Sequence, residues 1–220
     1  MIETIKALVL PEGKSLELWQ PATKKQFLVR FSLAWLVSIL LFGFYGYFGI
    51  GTELYSEQLG VVKESRLESA KAIYFIGKIL AGILFPFVYT FFFTVLFWIV
   101  CEEETFGRVW KLQLVPLVIT LIGKIVELPT LLILRLPEHS SPFGLGVLTQ
   151  IWTNQIFIVE LLSSLTIFSV WAGFMQYIIF HKGEGIGRNK TLFIVIVSNI
   201  LYILLISATD TFFRSMKVWL

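Results

Sequence analysis

Apolar runs separated by short polar connectors set the pattern of this chain. Five runs dominate: Phe27 to Ile50, Ala72 to Val100, Leu112 to Leu136, Ile151 to Phe180 and Thr191 to Phe213. A helix of about 20 predominantly apolar residues crosses the hydrocarbon core of a bilayer. The pattern therefore predicts an all-α polytopic transmembrane bundle of five spans, occupying residues 27–213. It also predicts a cytoplasmic N-terminal segment, residues 1–26, and a short C-terminal tail, residues 214–220.

Each run carries its own local signal. In the N-terminal segment Ile2, Ile5, Leu8 and Val9 fit one helical face, which suits either an amphipathic helix lying on the membrane or an ordinary tail. Span one ends in GFYGYFGIG, whose Gly43, Gly46, Gly49 and Gly51 sit among aromatics and suit close helix contact at an interfacial belt. The charges of residues 51–71 recur three or four apart, as in a solvated helical lead-in to span two. Span two is longer than a crossing needs, and Pro86 in its interior predicts a kink. Its Lys78 is expected to snorkel to the near interface. Residues 101–111 read as a short charged connector, and 136–146 as a turn-rich loop that re-enters the interface through Phe143 and Leu145. Span four holds Glu160 and a polar stripe of Ser163, Ser164 and Ser169; span five holds Asn199 and Asp210.

Composition agrees with the pattern. The 220 residues are 56% hydrophobic, above the roughly 45–50% of soluble domains, and mean hydropathy is +0.80. The net charge of +3 concerns topology rather than nucleic-acid binding, because no basic patch with interleaved aromatics is present. With the N-terminus inside, Lys6, Lys14, Lys24, Lys25, Arg30, Arg108, Lys111, Lys182, Arg188 and Lys190 fall on the inner side. Lys63, Arg66, Lys71, Arg135, Arg214 and Lys217 fall outside, so the excess of inner basic residues favours a cytoplasmic N-terminus. The opening residues lack a cleavable signal pattern, and span one is expected to direct insertion. The single cysteine, Cys101, allows no internal disulfide and reads as a small buried residue.

Candidate chemistry concentrates in span three, LQLVPLVITLIGKIVELPTLLILRL, where Lys124 and Glu127 lie between Pro116 and Pro129. An ionised group at the centre of a span costs roughly 2.5–3.5 kcal/mol on insertion scales. Three residues apart on a helix, the two charges share a face and can offset each other. With Glu160 they form either a clamp between spans three and four, a contact with a charged group of a partner, or a polar route for an ion or solute. One acid, Glu127, is then in surplus and must be protonated or meet another cation.

Other motifs are weaker. Glu103-Glu104-Thr105-Phe106-Gly107-Arg108 reads EExxxR and is similar to the first motif of membrane CAAX-type proteases. That chemistry needs partner histidines, and His139 and His181 do not complete the set, so a protease is the third reading. The same two histidines and one cysteine make no zinc site. GEGIG, residues 183–187, lacks the strand and terminal GK[ST] of a nucleotide loop and reads as a turn between helices.

The order of features resembles the YIP family of five-helix membrane proteins. TFGRVWKLQLVPLVI, residues 105–119, is similar to the family's opening of span three. IFSVWAGFMQYIIF, residues 167–180, resembles its "F.iW...L...G" segment, and Lys190-Thr191 its last-span start. The acidic CEEETFGR departs from the Gly-rich connector usual there. The resemblance implies a non-catalytic accessory or scaffold subunit of bacterial type, multi-pass in the cytoplasmic membrane and without a cofactor. It implies action through other membrane proteins, an ABC-type efflux system among them. The connector Glu102, Glu103, Glu104 and Arg108 is the candidate partner contact. Membrane lipids are expected neighbours, and homo-oligomers are open to such a chain. The alternative to this function is a small-solute or ion transporter using Lys124, Glu127 and Glu160.

Overall fold

The computed structural model describes residues 23–52, 64–101, 104–153, 155–183 and 186–217. Most of the N-terminal segment and the residues Glu102 and Glu103 of the connector lie outside them. Every named element is helical, and pairing of extended backbone is confined to one isolated bridge between Gly144 and Thr166.

Helix α1, Lys24–Tyr47, starts where the Thr23 side chain accepts the backbone N–H of Gln26. Its C-terminus turns through Gly49 and Gly51, both with positive φ, a conformation that glycine adopts without a Cβ clash. Helix α2, Glu64–Val100, runs unbroken through Pro86. A proline removes the N–H that would bond the carbonyl four residues earlier, here Gly82. The Ser38 hydroxyl of α1 donates to that carbonyl at 2.9 Å, and the Trp35 indole N–H donates to Ile83 O at 3.0 Å. The break in the α2 ladder is thus repaired by α1, and it fastens the two helices together. Gly82 permits the approach: a Cβ there would lie 2.9 Å from Phe42 Cβ and 3.0 Å from Ser38 O. Of the glycines singled out in span one, Gly46 does pack tightly on α2, against Phe75 and Lys78, whereas a Cβ on Gly43 would meet nothing.

Helix α3, Phe106–Leu112, and helix α4, Leu114–Leu134, form one apolar stretch interrupted only at Gln113. Half of the expected connector is therefore helix, and the third long apolar element begins at Phe106. After α4 the chain makes a 3-10 turn, Glu138–Ser140, then two short helices, α5, Gly146–Trp152, and α6, Ile156–Ser163. Helix α7, Ile167–Ile178, follows and winds into a π-turn, Ile179–Gly183, and helix α8, Arg188–Lys217, completes the bundle.

Four stretches are long and apolar enough to cross a membrane: Lys24–Tyr47, Glu68–Val100, Phe106–Leu134 and Arg188–Phe212. The protein is on this ground a multi-pass membrane protein. Residues 151–180, expected as one span, are instead interrupted. The reason is local hydrogen bonding. Ser163 and Ser164 both donate to Glu160 O at 2.9 Å, closing the last turn of α6. Thr166 and Ser169 form a reciprocal capping box that starts α7 anew. The serines read as a polar stripe are the punctuation of a broken helix.

The core is built where α1 packs on α2 and α4 packs on α7, with α8 lying against α6, α7 and α2. Phe93, Phe97, Leu117, Ile119, Met175 and Phe180 are fully buried in it. Leu33, Leu84, Ile133, Val170 and Phe193 point outward, as lipid-facing side chains do. Trp152, 86% exposed at the tip of the α5–α6 hairpin, suits the interfacial belt.

Replacing Gly82 by valine is expected to lower stability by about 1–3 kcal/mol through overpacking, read as a lower thermal midpoint in detergent. Gly43→Ala, which meets open space, is the control and should leave the midpoint unchanged or raise it.

Candidate functional site: a polar cavity at the helix break

Uncharged amides fasten the bundle. Asn199 Nδ2 of α8 donates to Gln176 Oε1 of α7 at 2.9 Å, and Gln176 Nε2 donates to Gln113 Oε1 at the α3–α4 joint at 3.1 Å. Gln113 and Gln176 are fully buried. This relay ties three helices through uncharged groups.

The charges line a cavity of about 700 Å³, within the roughly 300–1,000 Å³ usual for small-ligand sites, and Asn199 of the relay lines it too. Lys124, Glu127 and Glu160 all line it, so the structure brings together the residues singled out in the sequence. They are joined by Lys78, Glu138 and Asp210. The broken segment also contributes, through Ser163, Ser164 and Thr166. Tyr89, Tyr202 and Thr120 close one side: the Thr120 hydroxyl donates to Tyr89 Oη at 3.3 Å, and the Tyr89 and Tyr202 rings meet edge to face at 5.3 Å.

Lys78 reaches toward the end of the third apolar stretch. Its ammonium pairs with Glu138 Oε2 at 3.3 Å, and it lies 5.5 Å and 5.7 Å from the ring centres of Tyr74 and Tyr45. Glu138 sits on the 3-10 turn after α4, so the pair joins α2 to the α4–α5 connection. The turn itself is tied to α5 by Gln150 Nε2 donating to Ser140 Oγ at 3.0 Å. In the same loop Phe143 packs edge-on to Phe168 of α7 at 5.7 Å and lines the cavity.

Lys124 and Glu127 share a helical face, yet among the described residues neither enters an ion pair within 4.0 Å. The Lys124 ammonium rests over the rings of Phe42 and Tyr45 at 5.7 Å and 5.6 Å. Glu127 Oε2 accepts a long hydrogen bond, 3.5 Å, from Tyr45 Oη, which also donates to Lys124 O at 3.3 Å. Glu160, 6% exposed, accepts from Ser163 Oγ at 3.5 Å. The expected mutual offset of Lys124 and Glu127 is thus replaced by separate contacts to Tyr45.

The connector residues do not join this cavity. Glu104 and Arg108 form an i,i+4 ion pair at 3.3 Å at the start of α3, while Glu102 and Glu103 lie outside the described residues. His181 Nδ1 lies 2.9 Å from Ile186 O and the ring stacks on Tyr177, whereas His139 lines the cavity. No group of three or more His, Cys, Asp or Glu side chains able to hold a metal occurs among the described residues. Sequence reading missed Tyr45, Glu138 and the amide relay. The SSLT cluster, residues 163–166, with Ser169 three beyond Thr166, is the signal that could have revealed the break.

Neither a protein-family model, nor a curated protein, nor a solved structure matches the chain.

Gln176→Leu removes both bonds of the relay. At about 0.6–1.7 kcal/mol for each interhelical hydrogen bond in a membrane, the variant should melt at a lower temperature than the wild type in the same detergent. Equal midpoints would show that the relay does not fasten the bundle.

Proposed function

We propose that this membrane protein acts by receiving a small polar ligand in the cavity at its helix break, as a transporter or as a binding subunit, without catalysis. One observation carries the reading: interrupted backbone lines the same cavity as the intramembrane charges. Non-helical backbone at membrane depth is tolerated where it is buried in protein or faces water, and discontinuous helices mark the sites of many transporters. Helix α7 with its π-turn is too short for a full crossing, but α6 and α7 both pack along α8. We therefore read them as one interrupted fifth crossing. The N-terminus is then cytoplasmic, in keeping with the basic residues, and the cytoplasmic membrane is the proposed address.

The accessory-subunit reading is second. It rests on the resemblance to the YIP family and on the partly exposed Glu104–Arg108 pair, which sits at the other end of the α3–α4 stretch from Glu138 and offers a charged contact to a membrane partner such as an ABC-type exporter. The two readings are compatible if the bound ligand is passed to that partner. The protease reading finds no support in the cavity, because Glu104 is engaged with Arg108 away from it.

Cysteines placed singly at positions 124, 127 and 160 in a Cys101→Ser background should react with a small charged thiol reagent in intact membranes. Cysteines at the lipid-facing positions 133 and 170 should not. Failure of all three cavity positions to react would overturn the ligand-receiving reading.

A further inference from the structure

The ligand class follows from how Lys124 and Glu127 are held, and this inference rests on the ligand-receiving reading above. Two opposite charges one helical turn apart can ordinarily reach each other, and in a low-dielectric site their attraction is stronger than in water. Here they form no ion pair within 4.0 Å. Both contact Tyr45, only 2% exposed: its ring receives the Lys124 ammonium and its hydroxyl serves Glu127. Phe42 supports the ammonium from a second side. Of the other cavity charges, Lys78 is paired with Glu138, while Glu160 and Asp210 lie on other helices and have interactions of their own. Lys124 and Glu127 are thus opposite charges on one helix face, held by Tyr45 and Phe42 rather than by each other.

A singly charged ligand would satisfy one of these groups and bury the other without a counter-charge, which is costly. A ligand with both signs on a short linker satisfies both. We propose that the cavity binds a zwitterion bearing a primary amine and an anionic group, with the anion on Lys124 and the amine on Glu127. Phosphoethanolamine has this chemistry, free in solution or as the headgroup of phosphatidylethanolamine. The rings of Phe42, Phe85 and Phe168 along the same cavity supply apolar surface for the linker or the first carbons of a lipid.

The test uses the full chain in nanodiscs made only of phosphatidylglycerol, so that the host lipid is not zwitterionic. Calorimetric titration compares phosphoethanolamine and short-chain phosphatidylethanolamine with inorganic phosphate and with ethanolamine. A zwitterionic probe should bind about tenfold or more tightly than either single-charge probe, because hydrogen bonds to charged groups contribute about 1.5–3 kcal/mol and each 1.4 kcal/mol is tenfold. Binding of the lipid alone identifies a headgroup site; binding of both identifies a site that also takes the free solute. Lys124→Gln and Glu127→Gln should each lose about that factor. The exchanged pair Lys124→Glu with Glu127→Lys should recover binding, which a merely misfolded variant would not. Equal affinity for ethanolamine or phosphate, or binding indifferent to Glu127→Gln, overturns the zwitterion assignment. If the cavity cysteines react but no zwitterion binds, the ligand class fails and the ligand-receiving reading stands; if they do not react, both fall.

Discussion

In a bilayer no water is at hand to bond an exposed peptide group, so every carbonyl and N–H released by an irregularity must find a partner inside the protein. That constraint organises this bundle. Pro86 releases the carbonyl of Gly82, and the partner is a hydroxyl from the neighbouring helix, Ser38. The break after α6 releases more groups, and they are met by Ser163, Ser164, Thr166 and Ser169, by Leu145 N–H donating to Leu162 O, and by Ile167 N–H donating to Phe143 O. Each repair joins two segments distant in the chain or terminates one helix and starts the next. The irregularities are therefore the joints of the structure.

Uncharged and charged contacts meet in the bundle, since Asn199 at the end of the amide relay also lines the cavity. The amide relay from Gln113 through Gln176 to Asn199 is uncharged, fully buried at its two glutamines and surrounded by tightly packed apolar side chains. Toward the ends bearing the α1–α2 turn and the 3-10 turn, the lining becomes charged and a cavity opens. Neutral amides cost far less to bury than ions, so the relay adds contacts between helices without adding buried charge. Tyr45 joins α1 to the charged face of α4, since its hydroxyl bonds both a backbone carbonyl and a carboxylate there.

Much of the site was legible one residue at a time. Lys124, Glu127 and Glu160 stand out because charge in an apolar run is expensive, and all three line the cavity. Their relations were not legible. Helical spacing places Lys124 and Glu127 on one face, but only the position of Tyr45, seventy-nine residues from Lys124 in the chain, determines that both contact it. That Lys78 finds an ionic partner is decided by the turn after α4, which brings Glu138 to it. The fourth run deceived for a different reason: an apolar stretch of sufficient length looks like one helix whether or not hydroxyls at its centre bond to the backbone in place of water.

The sequence by itself determined the class of this protein, because the length and apolarity of its runs leave a helical membrane bundle as the only way to satisfy the backbone. It also marked the costly residues. The tertiary structure alone decided how those residues are used: which carbonyl each hydroxyl repairs, which amides meet across the helices, and that the charges face a shared cavity. These depend on how helices are rotated and tilted against one another. That geometry is set by close approaches such as Gly82 on Ser38 and Gly46 on Phe75, which no periodicity along a single helix encodes.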